Sequence, residues 1–214
     1  MSNQIITTCL RTMGSDIDVV NSARVSFDKR SQLNADGSMK AKDARLIRYL
    51  ANHNHLSPFG HCYASFHVQA PVFVARQLVK HKFLRWNEVS RRYVDTDPEF
   101  YVPRVWRGRS EDKKQGSDGV VKYEGPLGSH NQLSIYKELL RVGVSPEQAR
   151  MVLPQSMMTQ WYWSGSLDAF ASMVGLRLSN DTQKETKWVA VDVSKAMSKA
   201  FPYSWQYLMD REQD

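Results

Sequence analysis

Cysteine is scarce: the 214 residues hold only two, Cys9 and Cys62. They form no CxxC pair and no Cys/His zinc pattern, which argues against a disulfide framework and a zinc module. Cys62 falls in an alternating stretch, and its expected role is that of a small buried thiol. Long apolar runs are missing, and none approaches the roughly 20 residues of a membrane span. The opening MSNQIITTCLRTMG lacks the basic start and apolar middle of a secretory signal, so a cytoplasmic protein is expected. Internal repeats and long low-complexity tracts are missing as well.

What remains is ordinary globular material, 42% hydrophobic and 24% charged. The length suits one domain, residues 1–214, with a single core. The net charge is +7, which draws anions. Nucleic acid and small phosphorylated ligands both fit, and charge alone does not choose between them.

Patterning predicts a strand over 4–10, a helix over 16–25 and a loop over 31–40. A second helix, opened by Asp43, carries Ile47, Leu50 and Ala51 on one face. A histidine-rich turn, NHNHLSPFGH, is broken by Pro58 and Gly60. The next stretch alternates, with Cys62, Ala64, Phe66 and Val68 on one side of a strand. Pro71 opens a helix expected to run through Phe83. Residues 104–130 are polar and glycine-rich, and read as a surface loop or insertion. Helices follow over 133–143, after the Ser145-Pro146 start signal, over 166–178 and over 183–200. Trp161, Tyr162 and Trp163 are expected in the core or a subunit contact. The fold class is α+β, helix-rich, with a mixed or antiparallel sheet. His53, His55, His61 and His67 cross a proline turn at spacings that match no zinc signature, so no metal is expected.

The informative segment is RQLVKHKFLRWNEVSRRY, Arg76 to Tyr93. It interleaves the cations Arg76, Lys80, Lys82, Arg85, Arg91 and Arg92, and His81 when protonated, with Phe83, Leu84, Trp86 and Val89. Cations bind phosphates, and aromatic faces pack against rings. Gln77, Asn87, Glu88 and Ser90 add groups that can hydrogen-bond a base or a sugar, which a merely solvated basic face does not require. Ser90 has no adjacent oriented base, so it reads as a ligand-orienting hydroxyl and not as a nucleophile.

This segment resembles the signature of the flavin-dependent thymidylate synthases, Arg-His-Arg followed after seven residues by Ser. Here it stands as Lys80-His81-Lys82 and Ser90, with Asn87, Glu88, Arg92 and Tyr93 at matching offsets. Four further motifs follow the family order. They are Ser22-Ala23-Arg24-Val25-Ser26-Phe27, His55-Leu56-Ser57-Pro58-Phe59-Gly60-His61, Ala149-Arg150-Met151-Val152-Leu153-Pro154, and Leu176-Arg177 with Gln183 and Glu185.

The resemblance implies a dUMP site built from Gln77, Lys80, Glu88, Val89, Ser90, Arg91, Arg92, Arg150 and Arg177. In that site Arg177 would be catalytic, stabilising charge on the uracil ring. It implies FAD contacts at Ser57, Lys80, His81, Lys82 and Glu88. It also implies NADPH as reductant, 5,10-methylenetetrahydrofolate as carbon donor, and a homotetramer. The chain departs from the pattern where Lys80 and Lys82 replace arginines and Gly60 replaces glutamate. Ser166, Asp168 and Ser172 stand at the usual asparagine and arginine positions, and Asp181 replaces histidine.

Rival readings are another one-carbon transfer such as hydroxymethylation, a flavoprotein without synthase activity, and a basic nucleic-acid-binding module. No cysteine sits in a site-like motif, so the chemistry expected here needs no thiol adduct. Replacing Cys9 and Cys62 together by alanine should leave turnover essentially unchanged. Loss of turnover in a variant with an unaltered thermal melt would overturn that expectation.

Overall fold

A computed structural model describes residues 5–111, 116–125 and 128–211. Gln4 of the first expected strand, and 112–115 and 126–127 of the expected loop, lie outside the described residues. Four strands form an antiparallel sheet: β1 (Ile6–Met13), β2 (Tyr63–Pro71), β3 (Leu84–Glu88) and β6 (Met158–Ser166). Their order is β1-β2-β6-β3. A separate antiparallel pair joins β4 (Trp106–Arg109) to β5 (Ser117–Val121). The helices are α1 (Asp16–Arg24), α2 (Ala41–Asn52), α3 (Val72–Leu78), α4 (Ser129–Arg141), α5 (Pro146–Ala149), α6 (Leu167–Arg177), α7 (Lys184–Ala200) and α8 (Pro202–Asp210).

Alternation sets the sheet's inner face. Across β2 and β6, Ala64 faces Gly165, Phe66 faces Trp163 and Val68 faces Trp161, all buried. A slip of one residue would turn the whole set outward. Helix α6 covers this face. It is apolar nearly all round, as a central helix must be, and Phe170 meets Phe66 and Trp163 edge-on at 5.1 and 5.4 Å. Helix α7 adds Val189, Ala190, Val193 and Met197 at helical spacing. The other face carries Ser65, His67, Gln160, Tyr162 and Ser164. There His67 Nε2 lies 2.9 Å from Gln160 Oε1, and the Ser164 hydroxyl donates to Ser65 at 2.9 Å.

Several elements differ from the patterning. The helix after Pro71 stops at Leu78, because pairing with β6 claims Leu84–Glu88 as a strand, and pairing outweighs helix propensity. Gly165 permits that pairing: a Cβ there would lie 3.1 Å from the carbonyl oxygen of Phe83 and would collide with Leu84. Part of the segment read as a surface loop is instead the β4–β5 hairpin, with Ser110 buried. Of the three aromatics expected in the core or a subunit contact, Trp161 and Trp163 are buried and Tyr162 is exposed on the other face; all three belong to the central strand β6, and α8 is an additional helix beyond those the patterning predicts.

Helix α8 begins without a local side-chain cap. Its free amides are met from far along the chain. The Asp16 carboxylate, on the first turn of α1, accepts from Tyr203 N at 3.0 Å and Ser204 N at 2.8 Å. An ionised acceptor at a helix N-terminus also suits the helix dipole. Asp16→Ala should therefore lower stability by about 2 kcal/mol, the worth of charged hydrogen bonds to buried amides, read as a shift in the urea midpoint at constant slope.

Candidate functional site

The last turns of α3 and α6, with His81 just beyond the end of α3, supply the central residues. Arg177, the last residue of α6, donates from Nε to His81 Nε2 at 2.9 Å and from a terminal nitrogen to the Gln77 carbonyl at 3.0 Å. Gln77 is held from α7: Thr186 donates its hydroxyl to Gln77 Oε1 at 3.1 Å. Gln77 Nε2 in turn donates to Gln183 Oε1 at 2.6 Å. Burial, then the neighbouring Arg177 charge, pulls His81 down to about 4. His81 is thus neutral near pH 7 and accepts at Nε2, which puts its proton on Nδ1. Two of the five guanidinium N–H groups of Arg177 are committed, leaving three for a ligand.

The second group lies at the far end of β3. Glu88 accepts from the Thr159 hydroxyl at 2.8 Å and from Trp86 Nε1 at 3.1 Å. Beyond it the chain turns, with Tyr93 N and Val94 N donating to the Ser90 carbonyl. Within this turn, Arg92 donates to Ser90 Oγ at 3.1 Å, and its guanidinium stands 5.0 Å from the centroid of the Tyr93 ring. Arg91 is turned back on its own loop and donates to the Thr96 carbonyl. It lines a small cavity with Val89, Asp97 and Glu99.

The remaining expected residues are spread out. Ser57 lines an open cavity of about 410 Å³ with Tyr63, Phe83, Arg85, Ser164 and Asp168. Beside that cavity Phe83 is 82% exposed and its backbone is left-handed at φ 65°, a conformation that costs a bulky residue energy. Asp168 Oδ1 is buried there without a hydrogen-bond partner among the described residues. Lys80 and Lys82 are exposed on the α3–β3 turn, with no hydrogen-bond or ion-pair partner among the described residues. Arg150 lies on a one-turn 3-10 helix after α5 and donates to the Glu147 carbonyl at 3.2 Å.

The structure thus joins Gln77, His81 and Arg177 directly. A second segment carries Glu88, bonded to Thr159 and Trp86, and Arg92, bonded to Ser90, while Ser57 and Arg150 make no hydrogen bond to either group among the described residues. Sequence reasoning gives no site role to Gln183, Thr186 or Thr159, which fix the orientation of Gln77 and Glu88. Gln183 does belong to one of the motifs above. Thr186 and Thr159 carry no sequence signal of their own, because their partners lie more than 70 residues away.

The α+β scaffold thus presents an anchored arginine, oriented amides and a run of exposed cations, groups whose chemistry suits small anionic, ring-bearing ligands. Residues 8–203 match the family described as Thymidylate synthase complementing protein. The flavin-dependent thymidylate synthase of Thermosipho africanus is 35% identical over 91% of this chain and 86% of its own length. That of Thermus thermophilus is 35% identical over 90% of this chain and 71% of its own. A UMP/dUMP methylase, PolB from Streptomyces cacaoi, solved with 5-Br dUMP, superposes with a TM-score of 0.84. It is 26% identical, and the match covers 98% of this chain and 97% of its own. The chain belongs to the flavin-dependent thymidylate synthase family.

The His81 contact has a pH consequence. Its folded pKa, about 4, lies below the ordinary 6.5 of a free histidine. The unfolded chain therefore takes up the proton first, and the stabilisation is complete above about pH 6.5 and lost as pH falls toward 4. Between those limits stability should drop by about 1–2 kcal/mol after allowance for solvent screening, and His81→Gln should flatten that part of the curve in urea titrations.

Proposed function

We propose that this protein reductively methylates dUMP to dTMP, with 5,10-methylenetetrahydrofolate as carbon donor and FAD reduced by NADPH. The observation that carries the reading is the Gln77–His81–Arg177 cluster. There a guanidinium is fixed by two acceptors and keeps three donors free. A pre-oriented cation beside a pyrimidine carbonyl stabilises negative charge as the ring carbon becomes nucleophilic, without reorganisation at the moment of reaction. Neutral His81 holds the cation in place without repelling it. The fixed amide of Gln77 supplies a polar edge for the ring. Glu88, Val89, Ser90, Arg91 and Arg92 present two anchored cations, Arg91 on the Thr96 carbonyl and Arg92 on the Ser90 hydroxyl, for sugar and phosphate. Lys80, Arg150 and Arg177 complete the dUMP contacts.

Ser57, Lys80, His81, Lys82 and Glu88 are the residues toward FAD. The cavity beside Ser57 suits a flat ring with phosphates: it combines an exposed aromatic ring, Phe83, with the Arg85 cation. When bound, the reduced flavin supplies the hydride that completes the methyl group. Ser57 shares its cavity with Phe83 and Arg85 at the start of β3, whereas Arg92 lies past the other end of that strand, which is itself about 13 Å long. A homotetramer whose sites combine residues of neighbouring chains brings such groups to one ligand. Among the described residues no helix is long and apolar enough to cross a membrane. A cytoplasmic enzyme on freely diffusing co-substrates is consistent with that.

The test is direct. Purified protein should be yellow or turn so with FAD, bleach with NADPH, and release tritium from C5-labelled dUMP when the folate donor is present. UMP is run in parallel, because the Streptomyces neighbour is described as a methylase of both. A product heavier by one oxygen would replace methylation by hydroxymethylation. Arg177→Ala should cut tritium release by about 10² or more with FAD still bound. Unchanged turnover would remove Arg177 from the chemistry.

A further inference from the structure

The β4–β5 hairpin shares no strand with the main sheet, yet it reaches the start of α7 at two points. At the first, a Cβ on Gly116 would lie 3.1 Å from the Asp181 carbonyl oxygen, and the positive φ of 88° there favours glycine. At the second, Arg107 donates to the Glu185 carboxylate at 2.6 Å. Gln183 stands between Asp181 and Glu185, so the two contacts bracket it along the chain.

Glu185 is 2% exposed, and burying a carboxylate is costly unless it is paired. Two partners come from outside α7: Arg107, and the Tyr101 hydroxyl at 3.1 Å. Burial opposes ionisation of Glu185, but the hydrogen bond and charge of Arg107 outweigh it and hold the carboxyl below its ordinary range. Arg107 is itself fixed, its Nε donating to the Ser117 hydroxyl of β5 at 2.9 Å. The ion pair is therefore planted on both strands of the hairpin. A cavity of about 460 Å³ opens beside it, between Trp106 and Gln183, so close apolar packing does not join hairpin and helix there.

The same turn of α7 holds Gln77. Its side-chain amide lies 2.6 Å from that of Gln183 and 3.1 Å from the buried Thr186 hydroxyl. Its main-chain carbonyl accepts from Arg177 at 3.0 Å. Direct contacts thus run from Arg107 to Glu185, and from the neighbours of Glu185 to Gln77. A buried ion pair adds little net stability over an apolar pair of similar size, and what it contributes here is direction.

We infer that Arg107 is a positioning residue: through Glu185 it fixes the first turn of α7, and that turn fixes the side-chain amide of Gln77. Resting on the proposed function, the group so placed is the polar edge offered to the pyrimidine. The hairpin then sets the affinity for the nucleotide from outside its site.

Two variants of the FAD-loaded protein are compared with wild type. Arg107→Met paired with Glu185→Leu replaces the ion pair by an apolar contact and leaves no buried charge unpaired. In this variant the KM for dUMP in tritium release should rise by about tenfold, the worth of one hydrogen bond, with kcat within about twofold. Flavin absorbance and thermal melt should stay close to wild type. Arg107→Lys keeps the charge but loses the fork, so KM should rise less, by about threefold. It serves as the same test should the paired variant not fold. In a Gln77→Ala background the paired change should add nothing, because both act through one group. A crystal structure of the paired variant with FAD and without dUMP should show the Gln77 amide drawn away from Gln183 and Thr186. The inference is overturned if Gln77 keeps both contacts in that crystal, if KM does not change, or if the change adds in full to that of Gln77→Ala. Wild type that binds FAD but neither binds nor turns over dUMP would instead strike the proposed function, and the crystal structure would still judge Arg107.

Discussion

The pairing of β3 with β6 is the constraint on which the arrangement of the site rests. Trp86 stacks on Trp161 with centroids 4.3 Å apart, and Glu88 reaches Thr159 on the same partner strand. Gly165 lets the start of β3 approach closely. With these contacts in place, the cationic turn of Lys80 to Lys82 is held at one end of a five-residue strand, and the Glu88–Arg92 turn at the other. A shift of register by one residue would reverse every side chain on β3 and detach Glu88 from Thr159.

Positive charge gathers at both ends of β3. Several carboxylates are committed to structure. Asp16 caps α8, Asp43 is buried against Arg24 and Ser31, and Glu185 is held by Arg107 and Tyr101. Cations around the β3 ends are left open, and this turns an excess of +7 into a local field for anions. Arg177 and His81 show why burial matters here. A neutral imidazole can accept from the guanidinium only because desolvation and the neighbouring positive charge both oppose its protonation.

Much of the fold was legible because its signals are local. The period-two alternation of Ala64, Phe66 and Val68 announced β2, and the helical spacing of Val189, Val193 and Met197 announced α7. The family motifs placed Gln77, Arg177 and Glu88 in a candidate site by sequence resemblance. The strand character of Leu84–Glu88 was hidden, because a short basic run interrupted by aromatics shows neither a clear helix period nor a clear strand period. The hairpin was hidden by its polar, glycine-rich composition, and Arg107 counted as a loop residue until its partner Glu185 was in view.

The sequence by itself determined the inventory: which strands can bury a face, where cations concentrate, and that neither cysteine falls in a site-like motif. Those properties depend on residue type and short spacing. Only the tertiary structure decided which groups meet. Asp16 finds α8 some 187 residues later, and Thr186 orients Gln77 across 109. Such contacts arise because burial brings elements together by their apolar faces, and the polar groups carried with them must then pair with whatever lies opposite.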